Sequence, residues 1–131
     1  MFKIEHVAFW VADLEKVKDF YLKYFNAICN EKYTNPKKQF ESYFISFGYG
    51  GARIELMRRP DIVANAGFNN QMMGLAHIAL TVGDENAVNA LTERLRADGY
   101  TIAGEPRKTG DGYYESVVLD PEGNYIELTA G

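Results

Sequence analysis

The sequence contains one segment twice, and this repeat constrains the fold more than any other feature. Residues 75–82 repeat the residue types of residues 4–11, and residues 125–129 repeat those of residues 53–57. The two separations agree to within one residue. Stretches that recur in the same frame indicate two copies of one supersecondary unit. We therefore expect the chain to consist of two similar modules.

The length and composition are typical of one globular domain. The chain has 131 residues, of which 47% are hydrophobic and 24% are charged, and this leaves no room for a second domain. A single module is too small to bury a comfortable core alone, so it should pack on another module. We predict one domain over residues 1–131, with module 1 over 1–57, a connector over 58–74 and module 2 over 75–131.

The charge and the cysteine content exclude several classes of function. A formal charge of −4 argues against a surface for nucleic acid or anionic membrane, and Arg58-Arg59 and Lys37-Lys38 are too short to form basic patches. Cys29 is the single cysteine, which excludes an internal disulfide, and the N-terminus is unlike a signal peptide. We expect a cytoplasmic protein that binds a small molecule, with neither nucleic acid nor membrane as a partner.

Local patterns predict the order βαβββ for module 1. A strand over 4–11 ends at Asp13, a residue that favours a helix N-cap, and apolar residues at three-and-four spacing predict a helix from Leu14 to about Tyr24. Three strands should follow the helix. They are predicted over residues 27–33, 40–47 and 52–57, with a polar loop over 34–38 and a turn over 48–51.

Module 2 repeats this order. Its first strand is predicted over 75–82, and its helix runs to about Asp98, with Val88, Leu91 and Leu95 facing inward and Gly99 just beyond the end. The later strands are predicted over 100–103, 113–119 and 125–129, with a loop over 108–112 and a turn over 120–124.

Strand alternation decides which way the repeated His and Glu residues point. Successive side chains on a strand lie on opposite faces, so the apolar neighbours of Glu127 take the helix-covered face and Glu127 takes the other. The same alternation applies to His6, Glu55 and His77. If each sheet curls, these four side chains project into a concavity. Burial of an unpaired carboxylate there would reduce the free energy of unfolding by several kcal/mol.

A divalent metal ion would compensate for that cost. A lone His or Glu on a strand is more often a hydrogen-bonded or solvated residue than a ligand, but two of each in repeated positions favour a metal site. Two imidazoles and two carboxylates suit Zn, Ni, Co, Mn or Fe(II). They also leave a coordination position open at a five- or six-coordinate metal, which is typical of a catalytic site.

The motifs together resemble those of the vicinal oxygen chelate superfamily, which includes glyoxalase I, bleomycin-resistance proteins, fosfomycin-resistance enzymes, methylmalonyl-CoA epimerase and extradiol dioxygenases. The resemblance covers the whole chain. It rests on His6, Asp13-Leu14, Phe20-Tyr21, Ile54-Glu55-Leu56, His77-Ile78-Ala79 and the segment from Asp120 to Leu128. It implies an α+β fold in which two tandem βαβββ modules form a cupped, barrel-like mixed sheet.

Within this superfamily the chain is most similar to the glyoxalase I (lactoylglutathione lyase) type, because Glu stands at both carboxylate positions. The resemblance implies a metal-dependent lyase or isomerase that acts on a 2-oxoaldehyde–thiol hemithioacetal or a related small vicinal-oxygen substrate. Proton transfer by a carboxylate would proceed through an enediolate whose charge the metal stabilises. Glu127 would be the base and Glu55 the second proton-transfer group, while His6 and His77 would remain ligands.

Three further residues are candidates for substrate contact. Trp10 lies in register with His6 and is a candidate wall of the pocket. Small glyoxalases carry an Arg that pairs with a glutathione carboxylate where this chain has Phe9-Trp10, so the sequence does not specify glutathione. Arg107 and Lys108 precede a Gly-rich loop and are candidates to bind a substrate anion as part of a lid.

The sequence leaves two alternatives open. The protein is either an enzyme of this kind or a non-catalytic small-ligand-binding protein of the bleomycin-resistance type, with a fosfomycin-type thiol transferase or an acyl-CoA epimerase between them. The resemblance also implies a homodimer with two equivalent sites, each built from module 1 of one chain and module 2 of the other. Pairing of the modules within one chain is the alternative to this arrangement.

Overall fold

Each half of the chain forms one mixed β-sheet with one α-helix against it. The computed structural model describes residues 1–64 and 72–131. By its internal contacts the chain divides into two units, Met1–Ala64 and Asn65–Gly131. The fold is α+β, as the sequence predicts. Residues 65–71 of the predicted connector lie outside the described residues, and the assignment of the whole chain to one domain stays a prediction.

Unit 1 contains one more strand than predicted. Its elements are β1 (His6–Trp10), α1 (Leu14–Phe25), β2 (Ile28–Cys29), β3 (Tyr33–Asn35), β4 (Phe40–Ser46) and β5 (Arg53–Arg58). The sheet order is β1-β5-β4-β2, and β3 also pairs with β4. The β1–β5 pair is parallel and the other pairs are antiparallel.

The continuous strand predicted over 27–33 is wrong, because the chain is interrupted between β2 and β3. The Asn30 side chain accepts a hydrogen bond of 2.8 Å from the backbone N–H of Phe44. The Asn30 side-chain oxygen thus replaces the backbone carbonyl to which this N–H of β4 would otherwise donate. The chain resumes pairing at Tyr33, so Thr34 and Asn35, predicted as loop, belong to β3.

Unit 2 has the predicted order βαβββ. Its elements are β6 (His77–Gly83), α2 (Glu85–Ala97), β7 (Ile102–Lys108), β8 (Tyr114–Leu119) and β9 (Tyr125–Ala130). The sheet order is β6-β9-β8-β7, with β6 and β9 parallel. Strand β7 runs five residues beyond its predicted end at Ala103. The added part of β7 contains Gly104 and Pro106, which an edge strand with register shifts tolerates.

Capping residues fix both helix starts. The Asp13 carboxylate accepts a hydrogen bond of 3.1 Å from the backbone N–H of Lys16, and the Asp84 carboxylate accepts one of 2.8 Å from that of Ala87. Gly99 follows α2 with a φ of +93°, the left-handed conformation that the sequence predicts there. None of the helices in the described ranges is long and apolar enough to cross a bilayer.

The helices cover the apolar face of each sheet. Helix α1 buries the five residues that the sequence predicts, which are Leu14, Val17, Phe20, Tyr21 and Tyr24. In α2 the buried residues are Val88, Thr92 and Leu95, and the predicted Leu91 is only half-buried. Thr92 takes that inward position because its hydroxyl donates to the Val88 carbonyl at 2.6 Å and lies 2.7 Å from the Ser116 hydroxyl. Two hydroxyl groups that satisfy each other can be buried at little cost.

Candidate metal centre

In each unit, one His and one Glu lie on neighbouring parallel strands. Glu55 of β5 stands opposite Ala8 of β1, so His6, two residues earlier on the same face, is its diagonal neighbour. His77 and Glu127 have the same relation on β6 and β9. The sequence repeat therefore produces the same His–Glu pair twice.

In both pairs the same ring atom faces the carboxylate. His6 Nε2 lies 3.5 Å from Glu55 Oε1, and His77 Nε2 lies 3.2 Å from Glu127 Oε2. The two carboxylate side chains are 16% and 22% exposed, and the two imidazoles are about twice as exposed, at 40% and 44%. Each pair therefore presents a ring nitrogen and a carboxylate oxygen at the open face of its sheet.

The apolar neighbours define that face. Ile54 and Leu56 flank Glu55 and are 4% and 0% exposed, and Ile126 and Leu128 flank Glu127 and are both fully buried. Since α1 contacts β5 and α2 contacts β9, these apolar residues lie on the helix side. Both carboxylates consequently lie on the sheet face opposite the helix, which is the direction that strand alternation predicts.

Neither pair is a metal centre by itself. Within residues 1–64 and 72–131, no group of three or more His, Cys, Asp or Glu side chains is arranged to hold an ion. One pair offers only one imidazole and one carboxylate. Two pairs together offer a set whose two negative charges match a divalent cation and whose mixed N and O ligands suit the predicted metals. The donor set fits such an ion, and the grouping of all four residues into one shell stays a prediction.

The carboxyl group of Glu127 is electrostatically perturbed. Burial raises the pKa of Glu127 above its ordinary value, and a hydrogen bond with the Glu115 carboxyl group raises it further, while His77 and Arg107 act in the opposite direction. Glu115 stands on β8 opposite Thr129, and is therefore a diagonal neighbour of Glu127. A carboxylate with a raised pKa is a better general base at neutral pH.

A second carboxylate holds the other ring nitrogen of His6. Glu5 Oε2 lies 2.8 Å from His6 Nδ1, and Arg53 pairs with the other oxygen of the same carboxylate. The hydrogen bond from His6 and the pairing with Arg53 lower the pKa of Glu5. Glu5 and Glu115 were not predicted from the sequence, because each occurs in only one of the two copies. Their signal is local: Glu5 directly precedes His6, and Glu115 alternates with the buried Ser116.

Trp10 lies on the same face of β1 as His6, four residues further along. Its ring meets Phe40 edge-on at 6.2 Å between centroids, and the Arg59 guanidinium lies 5.1 Å from the ring centre. The indole is 42% exposed within the described residues. These contacts fix the ring orientation, and a role as a pocket wall stays a prediction.

Arg107 and Lys108 end strand β7 and point to opposite faces. Arg107 of β7 stands opposite Glu115 of β8 in the sheet, so its side chain lies on the same face as Glu127. Lys108 lies 4.0 Å from Glu85 at the start of α2, which places it on the helix side. The predicted loop therefore begins only after Lys108, and the two cations do not act together. Arg107 alone is on the face of the candidate ligands.

The family follows from comparison with known sequences. Residues 3–128 match the sequence model of the Glyoxalase/Bleomycin resistance protein/Dioxygenase superfamily. The chain belongs to this superfamily. It is 32% identical over 130 residues to a lactoylglutathione lyase of Escherichia coli O157:H7, a similarity that covers 96% of this chain and 90% of that protein. The resemblance inferred from the motifs is confirmed at the level of the superfamily.

Longer relatives match as well. A lactoylglutathione lyase of Arabidopsis thaliana is 28% identical over 126 residues, which cover 94% of this chain but only 42% of that protein. The chain thus spans about two fifths of the length of this relative.

Solved structures agree with the fold. The glyoxalase I of Zea mays superposes with a TM-score of 0.81 at 23% identity, over 98% of this chain and 44% of that one. A glyoxalase I of Leishmania major superposes with a TM-score of 0.78 at 23% identity, over 99% and 87%. Both superpositions cover nearly the whole chain and support the fold described above.

Proposed function

We propose that this protein is a metal-dependent lyase or isomerase of the glyoxalase I type. Its substrate would be the hemithioacetal of a 2-oxoaldehyde and a thiol, or a related small molecule with vicinal oxygens. The observation that carries the proposal is the duplicated pair in which an imidazole Nε2 faces a carboxylate, at 3.5 Å in unit 1 and 3.2 Å in unit 2. The similarity to lactoylglutathione lyases supports the same reaction class.

The four paired residues would hold one divalent ion, which is Zn, Ni, Co, Mn or Fe(II). We propose a homodimer in which module 1 of one subunit and module 2 of the other contribute His6, Glu55, His77 and Glu127 to each site. When bound, such an ion would stabilise the negative charge that develops on the two substrate oxygens. All other steps fall to side chains of the protein.

Proton transfer is assigned to the two carboxylates. Glu127 removes the proton from the substrate carbon, because its raised pKa gives it more basicity than an exposed Glu. Glu55 occupies the equivalent position of unit 1. It would take the hydroxyl proton of the hemithioacetal and return it to the adjacent carbon, while Glu127 would pass its proton to the former carbonyl oxygen, so that both carboxylates end ionised. His6 and His77 keep their places and do not exchange protons with the substrate.

The substrate-binding roles extend from this assignment. Trp10 would line the site on the side of His6, and Arg107 would face a substrate anion from the side of Glu127. Lys108 lies on the helix side of β7, so it would act only at the rim. The thiol is not assigned to glutathione, since Phe9-Trp10 stands where small glyoxalases carry an Arg. A cytoplasmic location and small-molecule partners accord with this reaction.

Metal analysis followed by turnover tests the proposal. Protein purified without added metal should contain about one divalent ion per chain. It should then isomerise at least one member of a panel of 2-oxoaldehyde adducts made with different thiols. Metal-free protein that binds such compounds but leaves them unchanged, even after addition of each of the five metals, would instead identify a non-catalytic ligand-binding protein.

A further inference from the structure

Four residues at the start of the unit 1 sheet form a closed set of contacts, which we call the Glu5 clamp. They are Glu5, His6, Phe44 and Arg53. Glu5 binds His6 Nδ1 through one carboxylate oxygen and Arg53 through the other. The Arg53 guanidinium lies 4.1 Å over the Phe44 ring, and this ring meets the His6 ring edge-on at 5.3 Å. Each member of the clamp therefore contacts two others.

The clamp determines which ring nitrogen of His6 carries the proton. An ionised carboxylate only accepts hydrogen bonds, so Glu5 requires a proton on Nδ1. A hydrogen bond to Glu55 would instead require the proton on Nε2, because the Glu55 carboxylate faces that nitrogen. The distances decide between the two, since 2.8 Å is a normal hydrogen bond and 3.5 Å is at the outer limit. A neutral His6 ring therefore keeps Nε2 unprotonated, and only an unprotonated nitrogen can bind a metal ion.

Glu5 is anchored by the main chain as well as by its side chain. The backbone N–H of Arg53 donates to the Glu5 carbonyl at 2.9 Å. An exposed ion pair alone orients its neighbours weakly, but here the partner Arg53 is also held against an aromatic ring. The backbone hydrogen bond and the pairing with Arg53 thus both hold Glu5 beside the start of β5.

Unit 2 lacks the equivalent residues. Ala76 precedes His77 where Glu5 precedes His6, and Tyr125 stands opposite His77 where Arg53 stands opposite His6. Ala76 has no side-chain acceptor. The clamp is a property of unit 1, and His77 is a natural internal control for it.

We propose that Glu5 is a positioning residue that holds His6 in the Nδ1–H tautomer, with Arg53 and Phe44 keeping the Glu5 carboxylate in place. Carboxylates that bind the second nitrogen of a metal-binding His act in this way in metalloproteins. The tautomer itself does not depend on the proposed function. Its consequence, tighter binding of a divalent ion by His6, rests on that function.

The first experiment reads the tautomer in metal-free protein. Nitrogen-15 NMR of the imidazoles at about pH 8, where an ordinary His ring is neutral, distinguishes Nδ1–H from Nε2–H. His77→Ala assigns the two rings. We expect His6 to be mainly Nδ1–H, and Glu5→Ala to shift it toward Nε2–H while the His77 signals stay unchanged. Arg53→Ala should give a smaller shift in the same direction.

Glu31→Ala is the matched control, because it removes an exposed carboxylate elsewhere in unit 1. This variant should keep the wild-type tautomer. A mixed tautomer in the wild-type protein, or no change in Glu5→Ala with its circular dichroism spectrum intact, would overturn the proposal. Should Glu5→Ala not fold, the shift in Arg53→Ala decides.

The second experiment measures the consequence for metal binding. Titration with Co²⁺, followed by visible absorption, should give an affinity about 10- to 100-fold lower for Glu5→Ala than for the wild type or Glu31→Ala. Equal affinities would contradict the role of Glu5 in metal binding. If the wild-type protein binds no Co²⁺ but Glu5→Ala still shifts the His6 tautomer, the proposed function fails while the positioning of His6 by Glu5 is supported.

Discussion

At the residue scale, Glu127 has both a raised pKa and the proposed role of general base. Glu127→Gln keeps the size of the side chain and an oxygen atom that can bind a metal, but the amide cannot accept a proton. We expect kcat to fall by about 10²- to 10⁴-fold, the usual contribution of a general base. Steady-state kinetics on the best hemithioacetal, with metal content measured in parallel, checks this.

The matched control for this variant is Glu31→Gln, which changes an exposed carboxylate in the same way. It should keep wild-type turnover. Undiminished kcat in Glu127→Gln with full metal occupancy would remove Glu127 from the role of base.

The same substitution should stabilise the metal-free protein. A carboxyl group whose pKa is higher in the folded than in the unfolded chain binds its proton more tightly when folded. Its contribution to stability is full below the unfolded pKa and is lost as the pH rises through the folded pKa. At neutral pH the ionised Glu127 therefore lowers the free energy of unfolding, and Glu127→Gln removes this cost. We expect metal-free Glu127→Gln to have a higher Tm than the metal-free wild type at pH 7.

Differential scanning calorimetry in the presence of a chelator, as a function of pH, measures this effect. The gain should shrink as the pH falls toward about 4, where an ordinary Glu becomes protonated. A gain that grows at low pH would contradict the direction of the pKa shift.

The sequence predicts the four repeated residues better than the residues that act on them. His6, Glu55, His77 and Glu127 are visible because each occurs in both copies at the same strand position. Glu5 and Glu115 each occur in one copy only. Glu115 lies beside Glu127 only because β8 and β9 pair in this register, and Glu5, although next to His6 in sequence, is held by Arg53 of β5. Neither of these cross-strand relations can be read from a single strand.

At the scale of elements, the junction between β6 and α2 is a close contact. Gly83 ends β6 with a φ of +129°, and a Cβ atom there would lie 2.9 Å from the Cβ of Ala87 in the first turn of α2. Gly83→Ala therefore combines backbone strain with a clash, and we expect a loss of roughly 1–3 kcal/mol in the free energy of unfolding. Urea denaturation measures it.

Gly110→Ala is the control, since nothing lies within 4 Å of its added Cβ and its φ is not in the left-handed region. It should change the free energy of unfolding by less than about 0.5 kcal/mol. Equal stability of the two variants would mean that the junction relaxes without cost.

Both helices and most strands were predicted to within a few residues, and the errors lie where a long-range partner decides the structure. Both helices begin at an Asp cap and carry an apolar stripe, so their ends and most of their buried residues follow from the sequence. The division of the 27–33 strand into β2 and β3 depends on the Asn30 side chain reaching Phe44 of another strand. The inward position of Thr92 depends on Ser116, which lies on β8. Long-range partners of this kind have no local pattern.

At the scale of the whole molecule, the sequence repeat corresponds to two units of similar topology, with one extra strand in unit 1, and with different surroundings for their candidate ligands. In unit 1 the His is held by Glu5. In unit 2 the Glu is perturbed by its burial and by Glu115. We therefore propose different roles for the two units. Unit 1 contributes an imidazole held in one tautomer, and unit 2 contributes the general base.

The last prediction concerns how the two halves combine. We expect each metal site to take module 1 from one subunit and module 2 from the other, as the resemblance to small glyoxalases implies. The supply of only half of the ligands by each unit is compatible with this arrangement. His6→Ala and His77→Ala chains should each bind metal poorly when pure. After mixing and subunit exchange, metal binding and activity should return in part.

The expected recovery follows from the number of substitutions in each site. In a heterodimer with shared sites, one site carries both substitutions and the other has all four ligands, so half of the sites in that species are restored. If both modules of a site came from the same chain, every site would keep one lesion and mixing would restore nothing. Native mass spectrometry of chains with different tags verifies that heterodimers have formed. Absence of recovery in their presence would rule out the shared-site arrangement and favour pairing within one chain.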